Sequence, residues 1–432
     1  MPRPQKSQAM KKKSSIILVV VIALFTMVIV AGLVFSHYGG FGTGKCADTE
    51  EFAKYAGTVS DITVPEQTRI VALGEATHGN AEFQQLKLEV FKVMIEKHGV
   101  RAFALEGDYG GCEAVNRYIH GGKGTDREAV AAIGFTLYRT EQMAQLIAWM
   151  REYNETAKEG EDLRFYGFDM QRMEWNYYYL VEAAEEQGID ATALKQQWDE
   201  EKGAPADAYT TDQWMLAIET VKHELEQHEG TAAAVHHADI LLQNCELGKA
   251  MASMNKGLAV RDQYMADNVR WILEQEEARG NKCIFVSAHN GHIERRHDYG
   301  TAGKNMGNLL SDTFGDEYYA IGTDFYKSIC NLPLSQSRTK RGNHTFYSHD
   351  PLAKASKKCG YEMGWLEFSK IPAESPLKQQ TVDYTWMGSV GESYTPLMVI
   401  LPRTYRVWVS PATLYDGVIF VSNAHPTAPY NL

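Results

Sequence analysis

Positive charge is in short supply in this chain. Its 43 Lys and Arg are outnumbered by 55 Asp and Glu, for a net charge of −12, so a nucleic-acid surface has no electrostatic support. Cysteine is sparse too. The six residues (Cys46, Cys112, Cys245, Cys283, Cys330, Cys359) include no CxxC pair and no tight metal-ligand spacing. Two catalytic signatures are missing. Without a Gly-x-Ser-x-Gly elbow a serine nucleophile has little support, and there is no HExxH helix of the kind that holds zinc. No internal repeat is visible. A hydrophobic content of 44% is normal for a chain with a substantial core.

Charge of either sign is absent from Ile16 to Phe35. A run of that length spans a bilayer core as a helix. Arg3, Lys6, Lys11, Lys12 and Lys13 precede it with no acid among them, and such a flank stays in the cytoplasm. A cleavable signal peptide has a shorter apolar core and a small-residue cleavage site. Val34-Phe35-Ser36-His37-Tyr38 is a poor one. The reading is a cytoplasmic basic tail at 1–15, a transmembrane signal anchor at 16–36 and a flexible glycine-rich stem at 37–47. The rest faces outward from the cell membrane in a single-pass arrangement. Disulfides are permitted there. Cys112, Cys245 and Cys283 read as buried thiols, which leaves Cys330 and Cys359 as the best pair.

What is present is organised around Arg69 to Glu106. Arg69–Leu73 reads as a short buried strand. Gly74-Glu75-Ala76-Thr77-His78-Gly79 follows as a tight turn. Phe83, Leu86, Val90, Phe91, Met94 and Ile95 recur at helical spacing, and Gly99 closes that helix. Arg101–Leu105 is a second apolar run, ending at Glu106. Strand, helix, strand in so short a span makes a βαβ unit with parallel strands, and open α/β sheets bind ligands at the carboxyl edge.

Further along, Gly107–Gly111 reads as a turn releasing Glu106, and Glu141–Tyr153 as an amphipathic helix. Leu163–Asp169 is a third strand. From Trp175 to Ala278 only helical patterns occur, broken at Gly188, Gly203-Ala204-Pro205, Gly230 and Gly257. Trp175, Tyr177, Tyr178, Tyr179 and Trp214 read as core between these helices. Cys283–Ser287 is a fourth strand, delivering Ala288-His289-Asn290-Gly291-His292, and Tyr318–Asp324 is a fifth. Residues 325–385 read as irregular surface loops in which His344 and His349 are ordinary surface histidines. Val399–Leu401 and Asp416–Val421 read as terminal strands. The fold class is therefore α/β: a mainly parallel central sheet flanked by helices over residues 48–170 and 280–432, an inserted helical side domain at 171–279, and the transmembrane helix ahead of both.

Glu75, His78, Glu106, Asp169, His289 and His292 thus gather at one sheet edge. In one chemistry, a histidine held by a carboxylate takes a proton from water and the water attacks an ester carbonyl, which suits an imidazole near neutral pH. A second imidazole donates to the oxyanion or the leaving alcohol. In the other, the same groups ligate zinc, manganese or cobalt. The acids sit on separate strands, and the metal-independent chemistry is preferred, with no cofactor. Spacing alone leaves Arg261 a solvated helix residue.

The GEATHG turn, Leu105-Glu106-Gly107 and Ala288-His289-Asn290-Gly291-His292 resemble the signature of the erythromycin esterase family. Gly167-Phe168-Asp169 with Gln171, Arg261-Asp262 with Met265, Ala266 and Asn268, and Asp416–Phe420 are similar to further family segments. The resemblance spans roughly residues 60–425 and implies an α/β core with a helical side domain. It implies His78 as the base that activates water, with Glu75, Glu106 and His289 completing the catalytic set. It also places Arg261, His292, Asp169 and Lys87 on the substrate, Lys87 standing where arginine is common. The implied substrate is a small-molecule ester or lactone, a macrolide at family level, although macrolide-inactivating members carry no anchor. Membrane-tethered, metal-dependent proteases of the wider superfamily supply the runner-up reading. A surface binding module that has lost the reaction is the third.

Overall fold

The computed structural model describes residues 6–40, 44–201, 208–297, 300–335 and 337–430. The first five residues of the basic tail, residues 41–43 of the stem and the expected break at Gly203-Ala204-Pro205 lie outside the described residues.

Helix α1 (Lys6–His37) has an apolar stretch of mean hydropathy 3.2 with nothing of the protein packed over it, unlike a core helix. After α2 (Thr49–Tyr55) and the short β1 (Ala56–Gly57), the central unit forms as β2 (Ile70–Glu75), α3 (Ala81–His98) and β3 (Ala102–Asp108). Gly99 closes α3 in the left-handed region at φ 66°. Then come α4 (Tyr109–Ile119), α5 (Asp126–Ala132), α6 (Glu141–Thr156) and β4 (Arg164–Asp169). A helical stretch follows: α7 (Glu174–Glu186), α8 (Thr192–Glu201), α9 (Ala208–Leu225), α10 (Ala232–Ala250) and α11 (Met254–Ala278). The chain returns to the sheet with β5 (Ile284–His289), α12 (Asn290–Ile293), α13 (Met306–Phe314) and β6 (Tyr318–Leu334). It finishes through β7 (Ser337–Tyr347), α14 (Pro351–Lys358), β8 (Met363–Glu367), β9 (Thr385–Gly388), β10 (Arg406–Val409) and β11 (Gly417–Ala424).

The nine-stranded sheet runs β1-β8-β11-β6-β2-β5-β3-β4, with β7 paired to β6. Strands β4, β3, β5, β2, β6 and β11 are mutually parallel, while β8, β1 and β7 pair antiparallel. Both faces are covered, as a parallel sheet requires. On one face Phe91 of α3 packs on Phe103 at 5.3 Å, and Phe103 stacks on Phe165 at 5.2 Å. On the other, α11 lays Met265, Val269 and Ile272 against Ile284 and Val286. A third core joins α7 to α10, where Tyr177 stacks on Trp198 at 4.0 Å and Trp214 is buried. Tyr179 is buried too, whereas Trp175 and Tyr178 keep exposed faces.

The structure corrects several expectations. Strand β3 continues to Asp108 and α4 starts at once, so Gly107–Gly111 is not a loop. Residues 325–385 are largely regular. The polar composition there belongs to the β6–β7 hairpin, which extends past the parallel sheet, and to α14 and β8. Val399–Leu401 forms no strand. Pro396 and Pro402 start 3-10 turns at Pro396–Val399 and Pro402–Thr404 instead, proline having no N–H for a ladder. All six cysteines are free, Cys330 lying buried beside Ser328 and Asn80. His344 stacks on Tyr394 at 3.4 Å and His349 is half-buried with φ 67°, so neither is an ordinary surface residue. The stem begins on a docked residue: His37 is buried, its Nδ1 3.0 Å from the Tyr405 hydroxyl.

Candidate active site

Two backbone approaches bring the strand ends together. A Cβ at Gly74 would lie 2.1 Å from the Asn290 side-chain oxygen, and one at Gly79 would lie 2.5 Å from the Asn331 carbonyl. Only glycine fits at either end of this turn. Asn290 bonds the backbone of Thr323 at 2.7 Å through its amide and 3.2 Å through its oxygen. The Thr323 hydroxyl in turn accepts the Ala76 N–H at 2.9 Å. The carboxyl ends of β2 and β5 are thereby tied to β6 at Thr323.

On the first side of the cluster, His78 Nδ1 lies 2.6 Å from Glu75 Oε1. The other Glu75 oxygen accepts from Lys87 Nζ at 2.6 Å and Gln84 Nε2 at 3.1 Å. Burial acts to raise the Glu75 pKa, but the Lys87 ammonium and His78 outweigh it and hold the carboxyl at about 2. The His78 pKa is raised: burial works against its charged form, and the charges of Glu75, Glu106 and Glu392 prevail. An ionised Glu75 accepts the Nδ1 proton, which leaves Nε2 as the open acceptor.

The second side is built from four separated segments. Arg261 on α11 reaches Asp169 at 2.7 and 3.2 Å, Glu106 at 2.8 Å and His292 at 3.2 Å. His292 Nδ1 lies 2.8 Å from Asp262. The other Glu106 oxygen accepts the backbone N–H of His289 at 2.8 Å. Burial pushes the Glu106 carboxyl upward, and His292, Arg261 and His78 pull it well below the usual carboxylate range. The His292 pKa is raised; burial opposes this, and Asp262 and Glu106 decide it.

His289 stands between the two sides, its ring 4.9 Å from that of His78. Its Nδ1 accepts the Gly291 N–H at 3.2 Å, so the neutral ring carries its proton on Nε2. That nitrogen is buried and has no partner. Burial and the neighbouring His78 hold its pKa down at about 3. A neutral imidazole with an unpaired N–H keeps one donor unused.

All eight expected site residues thus form one contiguous network, but not all of them reach the surface. The side chains of His78, Arg261 and His292 keep 11%, 14% and 14% of their surface open, whereas Lys87 and Asp169 keep 1% each. Lys87 and Asp169, expected on the substrate, stand behind Glu75 and Arg261. A substrate group would have to displace those partners to meet them. Arg261 is no solvated helix residue. Sequence reasoning missed Asp262, Gln84, Asn290, Thr323 and Glu392 as site members. For Asp262 a signal existed: it heads the apolar stripe of Met265, Val269 and Ile272, and an acid there is out of place.

The donor set does not suit a metal ion. Both oxygens of Glu75 and of Glu106 already accept from cations or N–H groups. Among the described residues no cluster of three or more His, Cys, Asp or Glu has metal-holding geometry.

Imidazoles and carboxylates thus gather at the carboxyl edge of a parallel α/β sheet, where open α/β folds hold their ligands. The chain belongs to the erythromycin esterase family, a hydrolase family whose model matches residues 95–424. That match begins after the Glu75–His78 turn, so the turn's place rests on the geometry above. Erythromycin esterase type II of Escherichia coli is 26% identical over 353 residues, covering 71% of this chain and 82% of that protein. A solved succinoglycan biosynthesis protein aligns with TM-score 0.73 at 19% identity, over 88% of this chain and 98% of its own. A mutant of the erythromycin esterase EreC in its open conformation aligns with TM-score 0.62 at 18% identity, over 85% and 93% respectively. At those identities the structural likenesses speak for the fold alone.

Proposed function

We propose that this chain is a membrane-anchored, outward-facing hydrolase that cleaves a carboxylic ester or lactone with water activated by His78. The observation that carries the reading is the pairing of His78 Nδ1 with an ionised Glu75 beside the unpartnered Nε2 of His289. Nε2 of His78 takes a proton from water as the oxygen bonds to the acyl carbon. The carbonyl oxygen gains the electron pair and accepts the Nε2–H of His289. Collapse breaks the bond to the alkoxy oxygen, which leaves with the proton held by His78. Glu106 fixes the His289 backbone, and Arg261 and His292 supply the substrate-facing polar surface on the opposite side. No cofactor enters this scheme, because the carboxylate oxygens a metal would need are committed to Lys87, Arg261 and backbone N–H. The anchoring half of the proposal rests on the uncovered apolar stretch of α1 and its basic flank.

The test is a panel of aryl esters, long-chain acyl esters and macrolide lactones offered to the full-length protein and to His78→Asn. A general base contributes about 10²–10⁴-fold, and the variant is expected to lose that much in kcat on whichever ester is cleaved. Equal cleavage by both proteins removes His78 from its role. Activity abolished by a chelator and restored by a divalent metal would install the metal-dependent peptidase reading instead.

A further inference from the structure

Beyond α1 and its terminal Tyr38, the apolar surface left uncovered is concentrated in one place. Six of the eleven large hydrophobic side chains exposed past Tyr38, among the described residues, fall within residues 382–408. They lie on and around the β9–β10 ribbon, a two-stranded sheet with no third strand to cover it. Trp408 sits directly across from Trp386, ring to ring at 5.0 Å, and Tyr384 stacks on Trp408 at 6.4 Å. Trp408 and Tyr384 keep 53% and 65% of their surface. Leu397 and Leu401, on the turns joining the two strands, are exposed at 50% and 46%, as is Arg403 between them and the ribbon. A protein in water has no reason to gather tryptophan, tyrosine and leucine on an open ribbon.

The position of α1 identifies what covers this patch. The carboxyl end of α1 docks through His37 on Tyr405, with its ring edge-on to Phe346 and Tyr405, and touches the turn at Pro396–Val399. Tyr405 immediately precedes β10. The patch therefore starts where α1 leaves its apolar stretch. Paired tryptophans and tyrosines at that level match the aromatic belt found at membrane–water boundaries, and Arg403 suits a headgroup phosphate.

We propose that the β9–β10 ribbon and the turns at 396–404 form a second membrane contact, seated in the headgroup region of the bilayer that α1 crosses. This rests on the reading of α1 as a retained anchor. It also deepens the proposed function. The chain leaving β9 runs straight to the site: Val390 N–H bonds the Ala76 carbonyl at 2.8 Å, and the charge of Glu392 acts on His78. The Glu75–His78 turn is thereby held beside the lipid boundary, which favours an ester that partitions there.

The test uses the full-length chain in vesicles of phosphatidylcholine and phosphatidylglycerol, with plain or brominated acyl chains. α1 contains no tryptophan, so quenching reports on the outward domain alone. Brominated lipid is expected to dim the wild-type emission, and W386F/W408F is expected to abolish most of that difference. The single variant W408F, which changes only an exposed ring, should remove part of it and guards against misfolding of the double variant. A chain that resists alkaline carbonate extraction yet shows no quenching, or the same quenching in the variants, overturns the second contact while leaving the anchor standing. A chain released by carbonate, or recovered without α1, overturns the anchor and this inference with it.

Discussion

His236 and His237 on α10 and His78 and His292 at the sheet edge are all deep in the protein, yet they end in opposite states. His236 stacks face to face on Trp271 at 3.9 Å, and its nearest carboxylate, Asp239, is 3.9 Å off and held by Lys222 at 2.6 Å. His237 bonds only the Asn176 side chain, at 2.9 Å. Burial takes both down to about 3. His78 and His292 have carboxylates at 2.6 and 2.8 Å, and both are raised despite burial. Burial alone makes a histidine refuse its proton, and an ionised partner reverses that. The sheet edge combines the two, so His78 and His292 hold their protons to higher pH than a free imidazole does. His289, at the same edge but without a carboxylate on its ring, sides with the helical pair and remains a donor.

The comparison breaks most severely if the carboxylates lose their cations. Arg261→Met leaves Glu106 and Asp169 buried without the guanidinium that both accept from. Removing one partner of a buried ion pair costs about 3–5 kcal/mol, and a chemical denaturation midpoint should fall accordingly. Arg261→Lys should recover only part of this, because an ammonium cannot span both acids as a planar fork does. A loss below about 1 kcal/mol, the scale of an exposed pair, would show that water reaches these oxygens and that the edge is not a closed network.

A smaller change sharpens the contrast within the edge. Lys87→Met removes the ammonium that balances Glu75, so His78 faces a less compensated carboxylate. The raised His78 pKa should climb further. Because the base works only when deprotonated, the acid limb of the pH–rate profile should move upward by about one unit, equivalent to about 1.4 kcal/mol. The substitution is buried and leaves the exposed faces of His78, Arg261 and His292 untouched, so KM should change far less than the profile. A limb that stays in place would mean that Lys87 supports the fold without tuning the base.

How much of this was readable beforehand differs between the two sides of the cluster. The Glu75–His78 pair lies within one turn of chain, closed by Gly74 and Gly79, and the sequence pattern of strand, turn and helix placed it correctly. The Arg261 side assembles from β3, β4, α11 and α12, and helical spacing made Arg261 a solvated residue because nothing local says which sheet edge a helix end will meet. The composition of residues 325–385 points to loops, and at 325–347 the reason it misleads is that β6 outruns the parallel sheet. Its second half pairs with β7 alone, so it carries the lysines, serines and asparagines of a partly solvated hairpin. Glu392 had no signal at all; its charge acts on His78 because the bonds between Val390 and Ala76 and between Ser389 and Tyr405 tie its segment to the turn.

The mildest perturbation tests the helical half of the comparison through its pH signature. In the unfolded chain His236 and His237 titrate near 6.5, whereas in the fold they stay neutral down to about 3. Between those values the unfolded state binds more protons, so stability falls as pH drops through this window. Each such histidine contributes a slope of up to about 1.4 kcal/mol per pH unit. His78 and His292 act with the opposite sign: their contribution is complete below 6.5 and is lost as pH rises through their raised values. The depressed Glu75 adds a loss of its own only from about 4.5 down to about 2. His236→Phe keeps the stack on Trp271 and removes one refusing group. Denaturation followed between pH 6.5 and 5, above the Glu75 window, should show a shallower acid slope by one histidine's share, with stability near pH 8 little changed. An unaltered slope would mean that His236 takes up its proton in the folded state, and that burial without a carboxylate does not decide the matter after all.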